Sequence, residues 1–220
     1  MENRRRNTRR ERRNPLEHPV GILLAELGDL IFLNLLWLLC SLPLVTVGAS
    51  TSALYAVCLK KATGESPPVF RAFFHHFKQN FKQATALWLL SLGVLLVGAA
   101  DLYYAGQDAA GNLGLLFSLL GAAGLMVWAA ISAFAWPLTA RYTYRFRDLI
   151  RNAVVMTGLC WRQLLGILGC WLLPGLLVLL APGMTLRFFG WALVLWGVSG
   201  PVYLAARFSW RAFLRQHLEP

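Results

Sequence analysis

Few side chains in this chain have the type and spacing to do chemistry. The adjacent pair His75-His76 comes nearest to a metal site. Neighbouring residues on a helix point to different faces, however, and no Cys or acidic residue nearby completes a ligand set. Cys40, Cys58, Cys160 and Cys170 show no C-x-x-C pairing and lie in or beside apolar runs, which points to buried, inert thiols. No phosphate-cradling Gly-rich loop, nucleophile elbow or zinc-protease His pair is present. These gaps count against an ATPase, a hydrolase or a metalloprotease. The sequence names no catalytic, cofactor-binding or metal-ligating residue, so a non-enzymatic protein without a cofactor is expected.

The densest pattern is amphipathic. Over residues 69–83, at 100° per residue, Phe70, Phe73, Phe74, Phe77 and Phe81 share one helical face. Arg71, His75, Lys78 and Lys82 form a stripe beside them. Such a helix would lie in a membrane interface, rings at the acyl boundary and cations at anionic headgroups. The same spacing suits a helix that docks a cytoplasmic partner, and the sequence alone fits both.

The composition supplies the membrane. The chain has 220 residues, 57% hydrophobic content and mean hydropathy +0.54. Several apolar runs approach the roughly 20 residues a spanning helix needs. Lacking strand alternation, they specify an all-α bundle rather than a barrel. Residues 1–15, with seven arginines, read as a disordered basic arm, and 16–220 as one membrane domain. Six spans are expected, over 20–42, 45–59, 84–104, 113–138, 164–181 and 188–206. Pro43 and Gly48 mark a break and turn, Pro174 interrupts the fifth span, and Pro201 kinks the sixth. Glu26 and Asp29 are expected near the interface, solvated or paired with arginines of the arm. Asn34 is expected to hydrogen-bond to a neighbouring helix, and Gly114, Ser118, Gly121 and Ser132 to pack closely.

Charge sets the span count. The segment 45–59 is short for a crossing, but if it crosses, 20 of the 21 Lys and Arg fall on the cytoplasmic side and only Arg187 outside. If it does not, 13 basic residues move outside. Six spans with both termini cytoplasmic, in a bacterial plasma membrane, is the expected topology. A net charge of +11 is then read as basic loops on anionic lipid rather than as a nucleic-acid surface.

The run LNLLWLLCSLPLVTVGASTSALYAV, followed by VFRAFFHHFKQNFKQA, resembles the signature half of the YesL-like family of bacterial membrane proteins. The matching positions are Asn34, Trp37, Pro43, Thr46, Gly48, Ala49, Ala53, Leu54 and Tyr55, then Phe70, Phe73, Phe74, Phe77, Asn80 and Phe81. The resemblance covers about residues 25–90, and the Arg-rich arm is not a usual family feature. It implies an accessory or regulatory partner of a carbohydrate-uptake ABC transport system, with transporter components as partners. No functional residue is established for the family, so none carries over. The alternative is a membrane-spanning subunit of a small-solute (sugar) transporter, with helices broken at Pro43, Pro174 and Pro201 lining a path. Asn152-Ala153, Gly158 and Pro174 resemble the coupling loop of ABC importer permeases, without its opening acid and with a longer Gly-to-Pro interval.

Overall fold

The computed structural model describes residues 19–107, 112–180 and 197–215. The basic arm 1–15, the centre of the loop after the third expected span, and the first part of the sixth span (188–196) lie outside these residues. Every regular element described is a helix. In order they are α1 (Pro19–Cys40), a 3-10 turn (Leu44–Thr46), α2 (Val47–Ala62), α3 (Val69–Gln107), α4 (Asn112–Arg141), α5 (Phe146–Leu159), α6 (Trp161–Leu180) and α7 (Ser199–Arg215).

The first break has a local cause. Pro43 disfavours helical backbone at Leu42, so α1 stops at Cys40. Thr46 Oγ1 then lies 2.6 Å from the Cys40 carbonyl and 2.7 Å from that of Pro43, which it can serve as donor. At its far end α2 closes on Gly64, whose φ of 87° few other residues adopt. There the Gly64 and Glu65 N–H groups donate to Lys61 and Lys60 carbonyls, in the manner of a Schellman cap.

Small residues set the packing. α2 is buried from Gly48 to Ser50 and from Ser52 to Leu59, which its run of Gly, Ala and Ser permits. It lies antiparallel to α3, with Asn80 Nδ2 donating to Ser52 Oγ across 3.2 Å in the core. α1 is antiparallel to α2: Asp29 pairs with Lys61, and Trp37 Nε1 donates to Thr51 Oγ1 over 3.1 Å. Asn34 Oδ1 accepts the Val198 and Ser199 N–H groups at 3.3 and 3.2 Å and so caps α7, as the contact expected of it requires. Thr157 Oγ1, 3.1 Å from the Ala130 carbonyl, ties α5 to α4.

Several expectations need correction. The amphipathic segment 69–83 and the span 84–104 form one helix of 39 residues, because no Gly or Pro separates them. Phe73 is 0% exposed, and Phe74 and Phe77 pack against the core, so the Phe face covers protein rather than lipid headgroups. The backbone of α6 continues through Pro174. Pro201 falls in the first turn of α7, where a missing N–H breaks no helical bond, so it kinks nothing. The span 188–206 is not continuous, since a turn at Gly197 and Val198 precedes α7. Asp29, whose side chain is partly exposed, pairs with Lys61 among the described residues. Gly114 and Gly121 are buried, whereas Ser118 and Ser132 are half-buried. Among the described residues two helices, α3 and α4, are long and apolar enough to cross a bilayer. A third crossing is added if α5 and the first part of α6, bent by 102°, count as one span. Six are not evident.

Candidate functional site

α3 has two halves of different character. From Leu89 to Tyr104 the buried residues are Ser91 and Gly98, and the remainder is largely exposed Leu, Val, Ala and Tyr. From Leu113 to Val127 of α4 the buried residues are Gly114 and Gly121. These halves pack against each other: a Cβ on Gly98 would stand 2.6 Å from the Leu125 side chain, and one on Gly121 2.9 Å from Asp101 Cβ. Lys82 to Tyr104 spans about 33 Å at 1.5 Å per residue, close to the roughly 30 Å of a hydrocarbon core. The other half of α3 carries exposed Arg71, His75, Lys78 and Lys82 and is surrounded by protein on its Phe73 side. The core gathers at this basic end.

There, the C-terminal ends of α2 and α4 meet α3 and α7 around a cavity of about 390 Å³. Its lining includes Lys60 and Glu65 from the end of α2, His76 from α3, Arg141 from the end of α4, and Trp210 from α7. The Arg141 Cζ lies 4.3 Å from the Trp210 ring centroid, 5.5 Å from that of Tyr142 and 5.7 Å from that of Phe213. Three rings thus hold the guanidinium by cation–π contact. Neither Lys60 nor Arg141 forms an ion pair among the described residues, where the recorded pair is Lys61 with Asp29. Glu65 stands 3.3 Å from the Thr63 hydroxyl. His76 lies outside the apolar half of α3; burial, then the charges of Lys60 and His75, push its imidazole down to about 4. At neutral pH the cavity therefore holds two cations, one acid and a neutral imidazole.

A second cavity, about 460 Å³, lies at the other end of α2 between Trp37, Tyr55, Trp88, Trp136 and Trp171. Its walls are mostly rings and aliphatic chains, with no ionisable group other than the Tyr55 phenol.

Of the residues singled out by sequence, Arg71, Lys78 and Lys82 are exposed, as is Phe70, while Phe73 is buried and Phe74, Phe77 and Phe81 are half-buried. The Phe rings stack along α3 in a chain from Phe70 to Phe81, with centroids 4.8 to 6.4 Å apart. Pro43 and Gly48 sit at the α1–α2 turn. Pro174 and Pro201 belong to two other helices, α6 and α7. Sequence reading missed Lys60, His76, Arg141 and Trp210, which come from four helices and have no shared motif. The local sign was a basic residue closing the apolar runs of α2 and α4, Lys60 and Arg141.

Residues 30–102 match the family described as "Protein of unknown function, DUF624". That stretch holds the second half of α1, all of α2 and nearly all of α3. Over 125 residues the chain is 28% identical to a protein of Bacillus subtilis (strain 168) described as "Uncharacterized protein YesL". The alignment covers 55% of this chain and 58% of that relative, so the chain matches a little over half of the relative's length. No solved structure matches.

Proposed function

We propose that this chain, which is similar to YesL over part of its length, is a non-enzymatic membrane protein working as an accessory or regulatory partner of a carbohydrate-uptake ABC transporter, through its cytoplasmic end. The observation that carries the reading is the division of α3. About 20 Å of that helix, Val69 to Phe81, continues beyond its apolar half and bears exposed Arg71 and Lys78, with Lys82 at the boundary. A helix end held rigidly by α2 and α4 and studded with cations is a surface that a cytoplasmic protein can grip. Lys and Arg concentrate in this half and in 141–162, and the positive-inside rule supports a cytoplasmic placement for it.

The same charge pattern requires only that 60–83 be cytoplasmic. A hairpin that enters the bilayer and returns satisfies it as well as two full crossings do. The α1–α2 turn favours the former. Its tip carries Leu42, Leu44 and Val45, exposed by 77%, 76% and 55%, with no charged residue to meet external water. Gly48, at the start of α2, packs beside Ala84 and Trp88, near the cytoplasmic end of the apolar half of α3. The tip then ends inside the bilayer. On this reading α3 and α4 cross fully, and the chain is back on the cytoplasmic side at Arg141.

The alternative, a solute-conducting subunit, is kept by the aromatic cavity, which could pass a neutral sugar. The deciding experiment isolates the tagged full chain from its native membrane and identifies what accompanies it. Recovery of sugar-importer components supports the accessory reading. Sugar flux by the chain alone in liposomes overturns it.

A further inference from the structure

The cavity between α2, α3, α4 and α7 has features that a purely structural void lacks. Arg141 is fixed against three rings rather than spent on a carboxylate, and Lys60 on the opposing helix is likewise unpaired among the described residues. With Glu65 the acid on this lining, the two cations outnumber it, and an anion between them relieves their mutual repulsion. A guanidinium offers two parallel donors that match phosphate oxygens, and an ammonium adds a point charge. Glu65, on the same wall, opposes a second anion but accepts hydrogen bonds from hydroxyl groups. His76, neutral at physiological pH, adds polar lining without further positive charge. About 390 Å³ accommodates a headgroup or a small phosphate ester, within the usual range for small-molecule sites.

We propose that this cavity binds a hydroxylated phosphate ester, its phosphate held between Lys60 and Arg141 and its hydroxyls directed to Glu65. Two sources share this chemistry: the headgroup of a phosphoglycerol lipid, reached from the adjoining leaflet, and a soluble sugar or polyol phosphate. Placing the site in the cytoplasm rests on the orientation above, but the binding does not.

The test uses the full chain, purified and stripped of lipid in a neutral detergent, so that its outcome is independent of membrane orientation. In one arm glycerol 3-phosphate is titrated calorimetrically. In the other the chain is reconstituted into nanodiscs of phosphatidylcholine with or without phosphatidylglycerol, and retained lipid is read by native mass spectrometry. Saturable binding in the first arm marks a soluble ester; selective retention of phosphatidylglycerol in the second marks the lipid. In whichever arm binds, Lys60→Gln and Arg141→Gln should each weaken it about tenfold, as loss of one charge-assisted contact implies. Arg71→Gln, outside the cavity, should leave it unchanged. Should Arg141→Gln not fold, Arg141→Lys keeps the charge, loses the fork, and should still weaken binding measurably. No binding in either arm, or binding that survives in Lys60→Gln and Arg141→Lys alike, overturns the proposal.

Discussion

Gly48 of α2 lies directly against the backbone of α3. A Cβ at that position would stand 2.7 Å from the Trp88 Cβ and would press on the Ala84 carbonyl. This contact fixes how far up α3 the α1–α2 hairpin reaches, since only the 3-10 turn Leu44–Thr46 and three preceding residues extend beyond it. Above that point, α3 and α4 continue as a pair with mostly exposed apolar surfaces.

Gly48→Ala should therefore destabilise the chain by about 1–3 kcal/mol through overpacking against backbone that cannot swing aside. Gly93→Ala, where an added Cβ meets nothing within 4 Å, should be neutral or slightly stabilising. Thermal unfolding in detergent would compare the two. Equal midpoints for Gly48→Ala and the parent chain would show that the helices are not in this contact.

Phe73→Ala should remove about 3–5 kcal/mol, as for a large side chain deleted from a packed core. Phe70→Ala, at a position 58% exposed, should change stability by less than about 1 kcal/mol. If the Phe face instead served only as a lipid anchor, both substitutions would weaken membrane association and neither would lower the unfolding midpoint.

That contrast shows what was legible in the sequence. Hydropathy found α1, α3 and α4, and Pro43 located the first turn. The Phe spacing identified a helical face correctly but not what covers it, because periodicity is the same for a face on lipid and a face on protein. Lys78 and Lys82 interrupt the apolar run, so 69–83 looked separate from 84–104; the missing helix breaker between them was the better guide. The richness of α2 in Gly, Ala and Ser permits its close packing, yet its depth depends on which α3 residues it meets. The cavity was not legible at all. Lys60, His76, Arg141 and Trp210 become neighbours only when four helices dock.

Asn34→Ala should cost about 1–2 kcal/mol by leaving the first N–H groups of α7 without their acceptor. Hydrogen exchange should rise first at Val198 and Ser199. Unchanged protection there would mean that α7 is held without the cap.

His76 should give the stability a pH dependence of definite sign. Its folded imidazole is held down to about 4, below the ordinary 6.5, so the unfolded chain binds the proton more readily. The contribution is present in full above about pH 6.5. It is lost as the pH falls through the folded value. His76→Gln should flatten that slope in unfolding midpoints measured from pH 7.5 to 4; a slope equal to that of the parent would assign it to other groups.

The depth of the α1–α2 tip is tested most directly by labelling single cysteines with a membrane-impermeant maleimide in intact cells and in inverted vesicles. Leu44→Cys, in a background with Cys40, Cys58, Cys160 and Cys170 replaced by Ser or Ala, is the informative variant. Ser66→Cys serves as a cytoplasmic control and Gln107→Cys as an external one. The expected result is labelling of Ser66→Cys only in inverted vesicles, of Gln107→Cys only in intact cells, and of Leu44→Cys in neither. Labelling of Leu44→Cys in intact cells would show that α1 and α2 cross completely, contradicting a hairpin that ends within the bilayer.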